Sequence, residues 1–358
     1  MSSTIGDNIK ISVFGESHGR AIGVVIDGLP SGLKLDMDKI LLEMKRRAPG
    51  NDKTATPRKE ADFPEILSGV VDNTLTGAPL CAIIQNTNTK SKDYSNIKRC
   101  PRPGHSDYPA YVKYNGFNDI AGGGHFSGRI TAPIVFAGAV CKQILLEKGI
   151  KVTAHINSIG SVEDKSFDPC NIPDETIENL LNSSFPLLDS SKEDEMRKEV
   201  ADSAFNKDSV GGTIECAVVG MDAGIGYPMF DGIEGKIAKA VFGIPAMKGI
   251  EFGKGFELAK MHGSESNDNF RYDENGNIYT TTNNCGGILG GITNGMPITF
   301  KVAVKPTASI AQKQDTINLE THQNDTLEIK GRHDPCIVLR AVPVIEAITA
   351  VTILDLLS

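Results

Sequence analysis

Histidine, arginine and serine side chains crowd together in the stretch 99–131 more densely than elsewhere in the sequence. His105 can give a proton to a leaving phosphate near neutral pH, and Ser127 can donate a hydrogen bond to a phosphate oxygen. Arg102 and Arg129 carry planar, permanently charged groups that suit carboxylates and phosphates. These residue types at this spacing predict an anion-binding active site.

Three consecutive glycines at 122–124 lie between the two arginines of this stretch. Without Cβ atoms, their backbone N–H groups can approach a ligand closely or turn into a nest for a phosphate. A glycine-rich surface loop with ordinary charges is the alternative, and the glycines alone do not decide between the two. Histidine, serine and two arginines within about thirty residues favour the active site.

A second histidine, His18, lies in the segment G-E-S-H-G at 15–19. Residues 9–14 alternate between polar and apolar side chains and predict a strand, and residues 23–27 predict its antiparallel partner. The turn between them places His18 at a strand end, where it can face a pocket and transfer protons. A surface hairpin histidine is the alternative. The segment is not a nucleophile elbow, because no strand-to-helix switch follows Ser17.

A third signal, G-R-H-D-P-C, occupies residues 331–336. Asp334 precedes a proline, which favours an extended or turn backbone, and Arg332 beside it favours the ionised carboxylate. Asp334 is therefore a candidate base. A salt-bridged aspartate ahead of a helix is the alternative.

A basic segment follows the first hairpin. The apolar face of residues 37–47 predicts a helix, and the cations at 45–47 fall in its last turn, where they complement the helix dipole as an alternative to binding an anion. Residues 51–65 have turn and charge composition without periodicity. We expect a mobile loop there that closes over substrate with Lys53 and Arg58.

A second glycine-rich stretch at 283–295 precedes a predicted strand at 297–304, which ends in K-P-T-A-S at 305–309. A lysine and two hydroxyl groups at a strand end can hold a cofactor phosphate, and paired glycines admit a flat ring to the backbone. Neither signal is specific when it is taken alone.

The remaining elements mix strands and helices without strict alternation, which favours an α+β fold over a doubly wound parallel sheet. No repeat, low-complexity tract or linker divides the 358 residues, so we predict a single large domain. Helix 132–147 is apolar on most sides, and we expect it to be buried and to anchor the glycine loop. Further strands are predicted at 81–85, 151–159 and 212–220, and further helices at 173–181, 191–206, 232–242 and 344–357.

The formal net charge is −8 and 40% of the residues are hydrophobic, enough for a sizeable core. The negative charge argues against nonspecific nucleic-acid binding and against an anionic membrane surface. Basic residues nevertheless concentrate in the motifs, and such a positive pocket suits a small polyanion. Seven cysteines form no C-x-x-C pair and no zinc-like spacing, so no metal site is predicted. Without a signal peptide or transmembrane run, we expect a soluble intracellular protein.

The motifs closely resemble those of chorismate synthase in order and spacing, across essentially the whole chain. They lie at residues 15–19, 102–108, 122–129, 283–295, 305–309 and 331–343. The resemblance implies a β-α-β sandwich without a separate flavin domain, assembled as a homotetramer in the cytoplasm. It also implies an anti 1,4-elimination that converts 5-enolpyruvylshikimate 3-phosphate to chorismate and phosphate, the last shared step towards the aromatic amino acids. The family requires reduced FMN although nothing is oxidised overall.

The resemblance also implies residue roles. His105 would protonate the departing phosphate, His18 would supply a proton to the reduced flavin, and Asp334 would relay a proton from the flavin N5 region. Ser17 and Ser127 would orient flavin and substrate. The further substrate-binding positions are Arg47, Lys53, Arg102, Arg129 and Arg332. The flavin-binding positions are His125, Phe126, Ser127, Pro245, Ala246, Gly290, Lys305, Pro306, Thr307, Ala308, Ser309 and Arg332.

Five positions depart from the residues that are usual in the family. Ala121 and His125 replace arginines on either side of the triple glycine, and Ile130 replaces a glutamate. Lys53 stands where arginine is common, and Pro245 where asparagine often contacts the flavin. The two missing arginines remove positive charge near the phosphates.

Two other functions stay open on the residues alone. A phosphohydrolase with His18 and His105 as acids would release phosphate from generic esters without flavin. A noncatalytic flavin-binding or polyanion-binding protein would turn nothing over. Neither explains why both histidines, Asp334 and two glycine-rich motifs occur together. Because no added domain is visible, we expect an external flavin reductase rather than NADPH-dependent flavin reduction by the chain itself.

Overall fold

The computed structural model describes residues 3–49, 62–87, 97–329 and 334–358. Within these ranges the chain forms eight α-helices and eighteen β-strands. The helices are α1 Met37–Arg47, α2 Asp107–Lys113, α3 Thr131–Glu147, α4 Asp174–Asn182, α5 Glu193–Phe205, α6 Ile233–Phe242, α7 Gly263–Ser266 and α8 Val338–Leu356. The strands are β1 Thr4–Ile5, β2 Lys10–Gly15, β3 Ala21–Asp27, β4 Glu65–Ser68, β5 Val70–Val71, β6 Thr74–Leu75, β7 Leu80–Gln85, β8 Lys151–Ile159, β9 Val162–Glu163, β10 Gly212–Val219, β11 Met247–Phe252, β12 Phe270–Tyr272, β13 Ile278–Thr280, β14 Ile288–Leu289, β15 Ile292–Thr293, β16 Ile298–Val304, β17 Lys313–Asn318 and β18 Gln323–Glu328.

Two five-stranded antiparallel sheets form the frame of the molecule. The first has the strand order β1-β2-β3-β7-β4, and the second has the order β11-β16-β10-β8-β9. In β3, Ile22, Val24 and Ile26 alternate along the strand and are fully buried, so one face of the first sheet belongs to the core. The predicted hairpin of β2 and β3 is confirmed, with Val13 opposite Val24.

Helices α3 and α8 lie between the two sheets. α3 packs on β2, β3 and β7 of the first sheet, and α8 packs on β8 and β10 of the second. Where the helices meet, a Cβ added at Gly138 would lie 2.3 Å from Cα of Ala347, so only glycine permits this approach. The α+β class and the β-α-β sandwich are therefore confirmed. By length and composition the segment 128–147 could cross a membrane, but 78% of its apolar stretch is buried inside the protein.

Four charged side chains, none more than 16% exposed, meet where α1, α3 and α8 pack together. Arg46 Nη1 lies 2.7 Å from Glu43 and 2.6 Å from Glu346. Lys142 Nζ lies 2.6 Å from Glu43 and 2.5 Å from Glu346. The backbone N–H of Ala154 in β8 also donates to Glu346, at 3.0 Å. We call Glu43, Arg46, Lys142 and Glu346 the helix ion network, and it joins all three helices to the second sheet.

Asp355 near the end of α8 holds the beginning of the first sheet. Its Oδ1 accepts hydrogen bonds from the backbone N–H groups of Asp7, Asn8 and Ile9 at 2.9, 2.6 and 2.9 Å. Its side chain thereby occupies a ready-made anion nest in the chain before β2. The two ends of the described sequence are thus joined directly.

Most predicted helices and strands agree with the structure within a few residues, but the C-terminal helix does not. It begins at Val338 rather than Val344 and contains Arg340 and Pro343. The predicted start was wrong because a proline, which has no N–H to donate, usually marks the first turn of a helix. Here Val338 and Val342 are completely buried, and their packing outweighs one missing helical hydrogen bond.

Short or polar elements escape prediction. The sequence pattern does not indicate α2, β11 or the hairpins β12–β13 and β17–β18, because their periodicity is too brief to distinguish from loops. Of the predicted loop 51–65, residues 51–61 lie outside the described residues, and with them Lys53 and Arg58. The described end of this segment leads into β4, which begins at Glu65.

Candidate active site

The three glycines at 122–124 form a turn between two histidines. Their φ angles of 61°, 87° and 54° are in the left-handed region that favours glycine. A Cβ added at Gly122 would lie 2.2 Å from Nδ1 of His18, and one at Gly123 would lie 3.3 Å from Nε2 of His105. Gly123 and Gly124 are buried, so the alternative of an ordinary solvated loop is wrong.

The G-E-S-H-G turn joins β2 to β3 and packs against this glycine turn. The buried Ser17 donates its backbone N–H to the carbonyl of Gly124 at 3.1 Å, and its Oγ would be 2.8 Å from a Cβ on Gly122. His18 is half-buried beside it. The two motifs therefore meet in the structure, although they lie more than a hundred residues apart.

His105 lies in a cluster with one arginine and one carboxylate. Its Nδ1 is 2.6 Å from Asp107 Oδ1. Arg102 donates to the same carboxylate through its backbone N–H, Nε and Nη2, at 3.0, 2.7 and 2.8 Å. Burial alone would raise the pKa of Asp107, but Arg102 and His105 hold that pKa well below its ordinary value. Asp107 is therefore a carboxylate throughout the physiological range.

Arg47 and Arg129 meet at one buried carboxylate. Arg47 Nη1 lies 2.5 Å from Asp62 Oδ2, and Arg129 Nη1 pairs with Asp62 Oδ1. Arg340 is adjacent, since its Nε donates to the carbonyl of Arg47 at 3.1 Å. Arg340 Nη1 also lies 2.6 Å from Asp334 Oδ2, so Asp334 is salt-bridged just ahead of a helix as well as facing the site.

Burial of these arginines has an electrostatic consequence. Burial lowers the pKa of the Arg47 guanidinium to about 10; Asp62 opposes this shift, and Arg340 and Arg129 add to it. Burial alone would raise the pKa of Asp62, but Arg47 and Arg129 bring it below its ordinary value. Positive charge is therefore concentrated here at a cost in electrostatic free energy. An anion that binds beside these arginines would reduce that cost.

The K-P-T-A-S stretch connects the carboxylate and histidine sides of the site. Thr307 donates its hydroxyl hydrogen to the carbonyl of Asp334 at 2.8 Å, and Ser309 Oγ accepts from Arg102 Nη1 at 3.0 Å. Burial, with some contribution from Lys248, lowers the pKa of Lys305. The Thr307 hydroxyl thus stabilises the fold by binding the Asp334 carbonyl, and Lys305 lines a cavity.

That cavity has a volume of about 980 Å³ and brings most of the predicted residues together. The predicted residues that line it are Arg47, Arg102, His105, His125, Phe126, Ser127, Arg129, Pro245, Ala246, Lys305, Thr307, Ala308, Ser309 and Asp334. In the part of the chain that the structure describes, Ser17, His18, Pro306 and Gly290 are not lining residues. Ser17 and His18 nevertheless contact the back of Gly122, which does line it.

The predicted flavin contact at Gly290 is not brought into the cavity. Gly290 is exposed at the turn between β14 and β15, where an added Cβ would meet nothing within 4 Å. The neighbouring Gly286 and Gly287 instead allow close backbone packing, with added Cβ atoms 2.4 Å from the N of Gly253 and 2.5 Å from a carbonyl oxygen. Two other predicted site residues, Lys53 and Arg332, lie outside the described residues.

Five further charged residues belong to the site and were not predicted from the sequence. Asp107 and Arg340 lie inside quoted motifs, so their closeness to histidine and proline was an available signal. Asp62 ends a segment without periodicity, and no local signal marks it. Lys239 in α6 and Lys248 in β11 line the cavity from elements whose surface charges look ordinary in sequence.

His125, which stands where arginine is usual in the family, makes hydrogen bonds within the protein. Its Nδ1 lies 2.8 Å from the carbonyl of Gly15, which fixes the hydrogen on that nitrogen, and Nε2 then accepts from the Ser3 hydroxyl at 2.9 Å. The imidazole therefore ties the glycine turn to the first hairpin and to the beginning of the described chain. Ala121 donates its backbone N–H to Asp119 at 2.8 Å, and Ile130 is buried.

Comparison with known proteins places this geometry in a family. The chorismate synthase family pattern matches residues 9–357. The chorismate synthase of Dehalococcoides mccartyi strain 195 is 46% identical over 99% of this chain and 96% of its own length. That of Methanocaldococcus jannaschii is 47% identical over 100% of this chain and 96% of its own length. A solved structure described as the crystal structure of chorismate synthase has a TM-score of 0.75 and 28% identity, covering 99% of this chain and 92% of that one. The chain belongs to the chorismate synthase family, and thus to the carbon–oxygen lyases.

Proposed function

We propose that the chain eliminates phosphate from 5-enolpyruvylshikimate 3-phosphate in an anti 1,4 sense to form chorismate, with reduced FMN as its cofactor. The reaction is the last common step towards the aromatic amino acids. The observation that carries the proposal is the convergence of an imidazole and buried arginines around one glycine turn. Such an arrangement suits the departure of an anion from an already anionic molecule.

The arginines bind the substrate. It carries two carboxylates and one phosphate, and Arg47, Arg129 and Arg340 present guanidinium groups to the cavity. Ser127 Oγ accepts the backbone N–H of Arg129 at 3.3 Å, so its own hydrogen points elsewhere and can serve a ligand oxygen. We include Lys53 and Arg332 in this binding set.

His105 donates a proton to the departing phosphate from Nε2, the ring nitrogen nearest the glycine turn. Neutralising the phosphate as the C–O bond breaks lowers the barrier to its departure. His18 and Asp334 move the remaining protons, His18 from behind Gly122 and Asp334 from the cavity wall beside Arg340.

The donor set of the cavity fits a flavin mononucleotide. Lys239, Lys248 and Lys305 line it and can neutralise a phosphate, and the aromatic rings of Tyr114 and Phe126 line the same space. When it is bound, reduced FMN supplies electron density that assists cleavage of the C–O bond. We assign to its binding the predicted positions that line the cavity, His125 to Ser127, Pro245, Ala246, Lys305 and Thr307 to Ser309, and we include Arg332.

An anaerobic assay tests the function. Protein, photoreduced FMN and 5-enolpyruvylshikimate 3-phosphate are mixed, and chorismate absorbance and free phosphate are followed together. Equal rates of both that vanish without reduced flavin are expected. Phosphate without chorismate would indicate a phosphohydrolase, and no product with retained flavin binding would indicate a binding protein.

Three properties of the working enzyme complete the proposal. We place it in the cytoplasm as a homotetramer that receives reduced FMN from an external reductase. Light scattering of the purified chain should give four times its mass of 38.3 kDa. Steady anaerobic NADPH consumption by the purified chain with FMN would instead assign flavin reduction to the chain itself.

A further inference from the structure

One buried carboxylate holds two residues of the site. Asp107 is the first residue of α2, and its side chain is 5% exposed. Oδ1 lies 2.6 Å from His105 Nδ1 and accepts from Arg102 Nη2 at 2.8 Å. Oδ2 accepts from the Arg102 backbone N–H and from Nε. The position of this carboxylate is therefore fixed by four contacts, three of them from one arginine.

These contacts determine where His105 carries its hydrogen. A carboxylate oxygen only accepts, so the nitrogen 2.6 Å from it must be the N–H of the ring. Arg102 Nη2 also lies 3.1 Å from Nδ1 and has a second hydrogen besides the one on Asp107 Oδ1, but the carboxylate oxygen is closer, at 2.6 Å, and would repel an unprotonated Nδ1. Nδ1 is thus held towards the protein.

The other ring nitrogen faces the glycine turn. Nε2 would be 3.3 Å from a Cβ on Gly123, and His105 lines the cavity with 19% of its side chain exposed. A ring with Nδ1 held by a carboxylate resembles the arrangement in which an aspartate orients a catalytic histidine. The charged groups that face the ring within the described chain are Asp107 and Arg102, and Ser106 Oγ lies 3.5 Å from Nδ1.

We propose that Asp107 is a positioning residue of the elimination, which keeps a hydrogen on His105 Nδ1 and stabilises the imidazolium whose Nε2 proton goes to phosphate. This inference rests on the proposed function. As the C–O bond breaks, its electron pair leaves with the phosphate, whose oxygen takes the Nε2 proton. His105 is left neutral, with the hydrogen still covalently bound to Nδ1 and directed at Asp107. The substrate loses its ring hydrogen as a proton to another group.

Arg102 has a structural role in addition to the substrate binding implied by the family resemblance. Its Nε and Nη2 are engaged by Asp107, and its Nη1 donates to Ser309 Oγ at 3.0 Å. The Nε–Nη2 edge of the guanidinium is therefore occupied by Asp107. It holds Asp107 ionised and links the histidine to the K-P-T-A-S stretch.

The variant Asp107→Asn tests this role in the full-length chain, after equal rates of chorismate and phosphate have established the reaction for the unmodified protein. We expect kcat to fall about 10²-fold while KM changes less than about threefold. The decline of kcat towards high pH should move to lower pH by about one pH unit, because the imidazolium has lost its counter-ion. In ¹⁵N-labelled protein, the His105 ring signal, identified by its loss in His105→Gln, should lose its Nδ1 hydrogen.

Asp107→Glu and a remote control complete the test. Asp107→Glu keeps the charge but displaces the oxygens, so kcat should fall about tenfold with the pH profile unmoved, and this variant carries the test if Asp107→Asn does not fold. Asp268→Asn, which removes a carboxylate that accepts from the backbone N–H groups of Asn284 and Cys285, none of them a cavity-lining residue, should leave kcat unchanged. The proposal is overturned by unchanged kcat in a folded Asp107 variant. It is also overturned if kcat falls only in step with flavin affinity and melting temperature, with the pH profile and ring signal unchanged.

Discussion

Arg46 and Arg47 are consecutive residues of α1, and both are buried, yet they belong to opposite kinds of charged region. Arg46 lies in the helix ion network, where Glu43 and Glu346 match its charge. Burial alone would lower the pKa of Arg46, but those carboxylates raise it above its ordinary value. Arg47 shares Asp62 with a second arginine, and burial lowers its pKa to about 10.

The contrast separates charges that counter-ions of the protein compensate from charges that are compensated only in part and can bind a ligand. In the helix ion network, burial alone would raise the pKa of Glu346, but Arg46 and Lys142 lower it to about 2. Each ion there is stabilised by its neighbours. Around Arg47, by contrast, the neighbouring arginines oppose its charge, and the cavity beside it can admit a compensating anion. The first region should determine stability and the second should determine activity.

The largest expected effect comes from breaking the helix ion network at Glu346. Glu346→Gln leaves Arg46 and Lys142 buried without one of their two counter-ions, so the free energy of unfolding should fall by about 3–5 kcal/mol. Urea denaturation at pH 7 measures it. A loss below about 1 kcal/mol would show that the network is dispensable, contrary to the comparison.

The second effect separates the two neighbouring arginines. Arg47→Ala should lower kcat/KM about 10²-fold, about 2.7 kcal/mol of transition-state binding, because it removes a guanidinium from the cavity. Arg46→Ala is the matched control, and should cost more stability and less activity. Steady-state kinetics and urea denaturation of both variants give the ranking, and the reverse ranking would contradict it.

A third, smaller effect concerns the carboxylate between the site arginines. Asp62→Asn removes a charged acceptor from Arg47 and Arg129, and should cost about 1.5–3 kcal/mol of stability at pH 7. The folded-state pKa of Asp62 is below its ordinary value of 3.8, so its contribution is present above that pH and is lost as pH falls through the folded-state pKa. Urea denaturation from pH 7 to about pH 3 should show the two proteins converging. A difference that stays constant with pH would assign the effect to shape rather than charge.

The smallest effect is expected at the surface. Arg99 Nε lies 3.1 Å from Glu320, but the two side chains are 63% and 58% exposed. Arg99→Ala should change the free energy of unfolding by less than about 1 kcal/mol, and less still in high salt, because water and ions screen the pair. A larger loss in denaturation experiments would mean that exposure does not distinguish these charges.

The two arginines also show why sequence alone could not complete the site. Both fall in one basic run, which predicts a helix cap and an anion site equally well. The charge environment of Arg46 depends on Glu346, which is about three hundred residues away in the sequence. That of Arg47 depends on Asp62, which no local pattern marks. Partners that only the tertiary structure brings together produce no recognisable spacing pattern in the sequence.

Other parts of the site were predictable because their chemistry is local. The glycine turn requires positive φ at three adjacent positions, and only glycine occupies these readily, so its motif is visible in sequence. The histidines and the K-P-T-A-S stretch were recognised because their reactive groups lie in short motifs that are visible in the sequence. The start of α8 was mistaken because the local rule for Pro343 competes with buried packing that only the fold supplies.

The central place of α8 has a consequence for how the protein is made. Residues 338–356 are synthesised after every strand of the two five-stranded sheets, yet they pack against α3 and against β8 and β10. The face of the second sheet that α8 covers therefore remains exposed while hundreds of residues have already left the ribosome. Such distant pairings are slow to form, and exposed apolar strands can associate wrongly during the delay. The nascent chain should need protection by a chaperone until α8 closes the core.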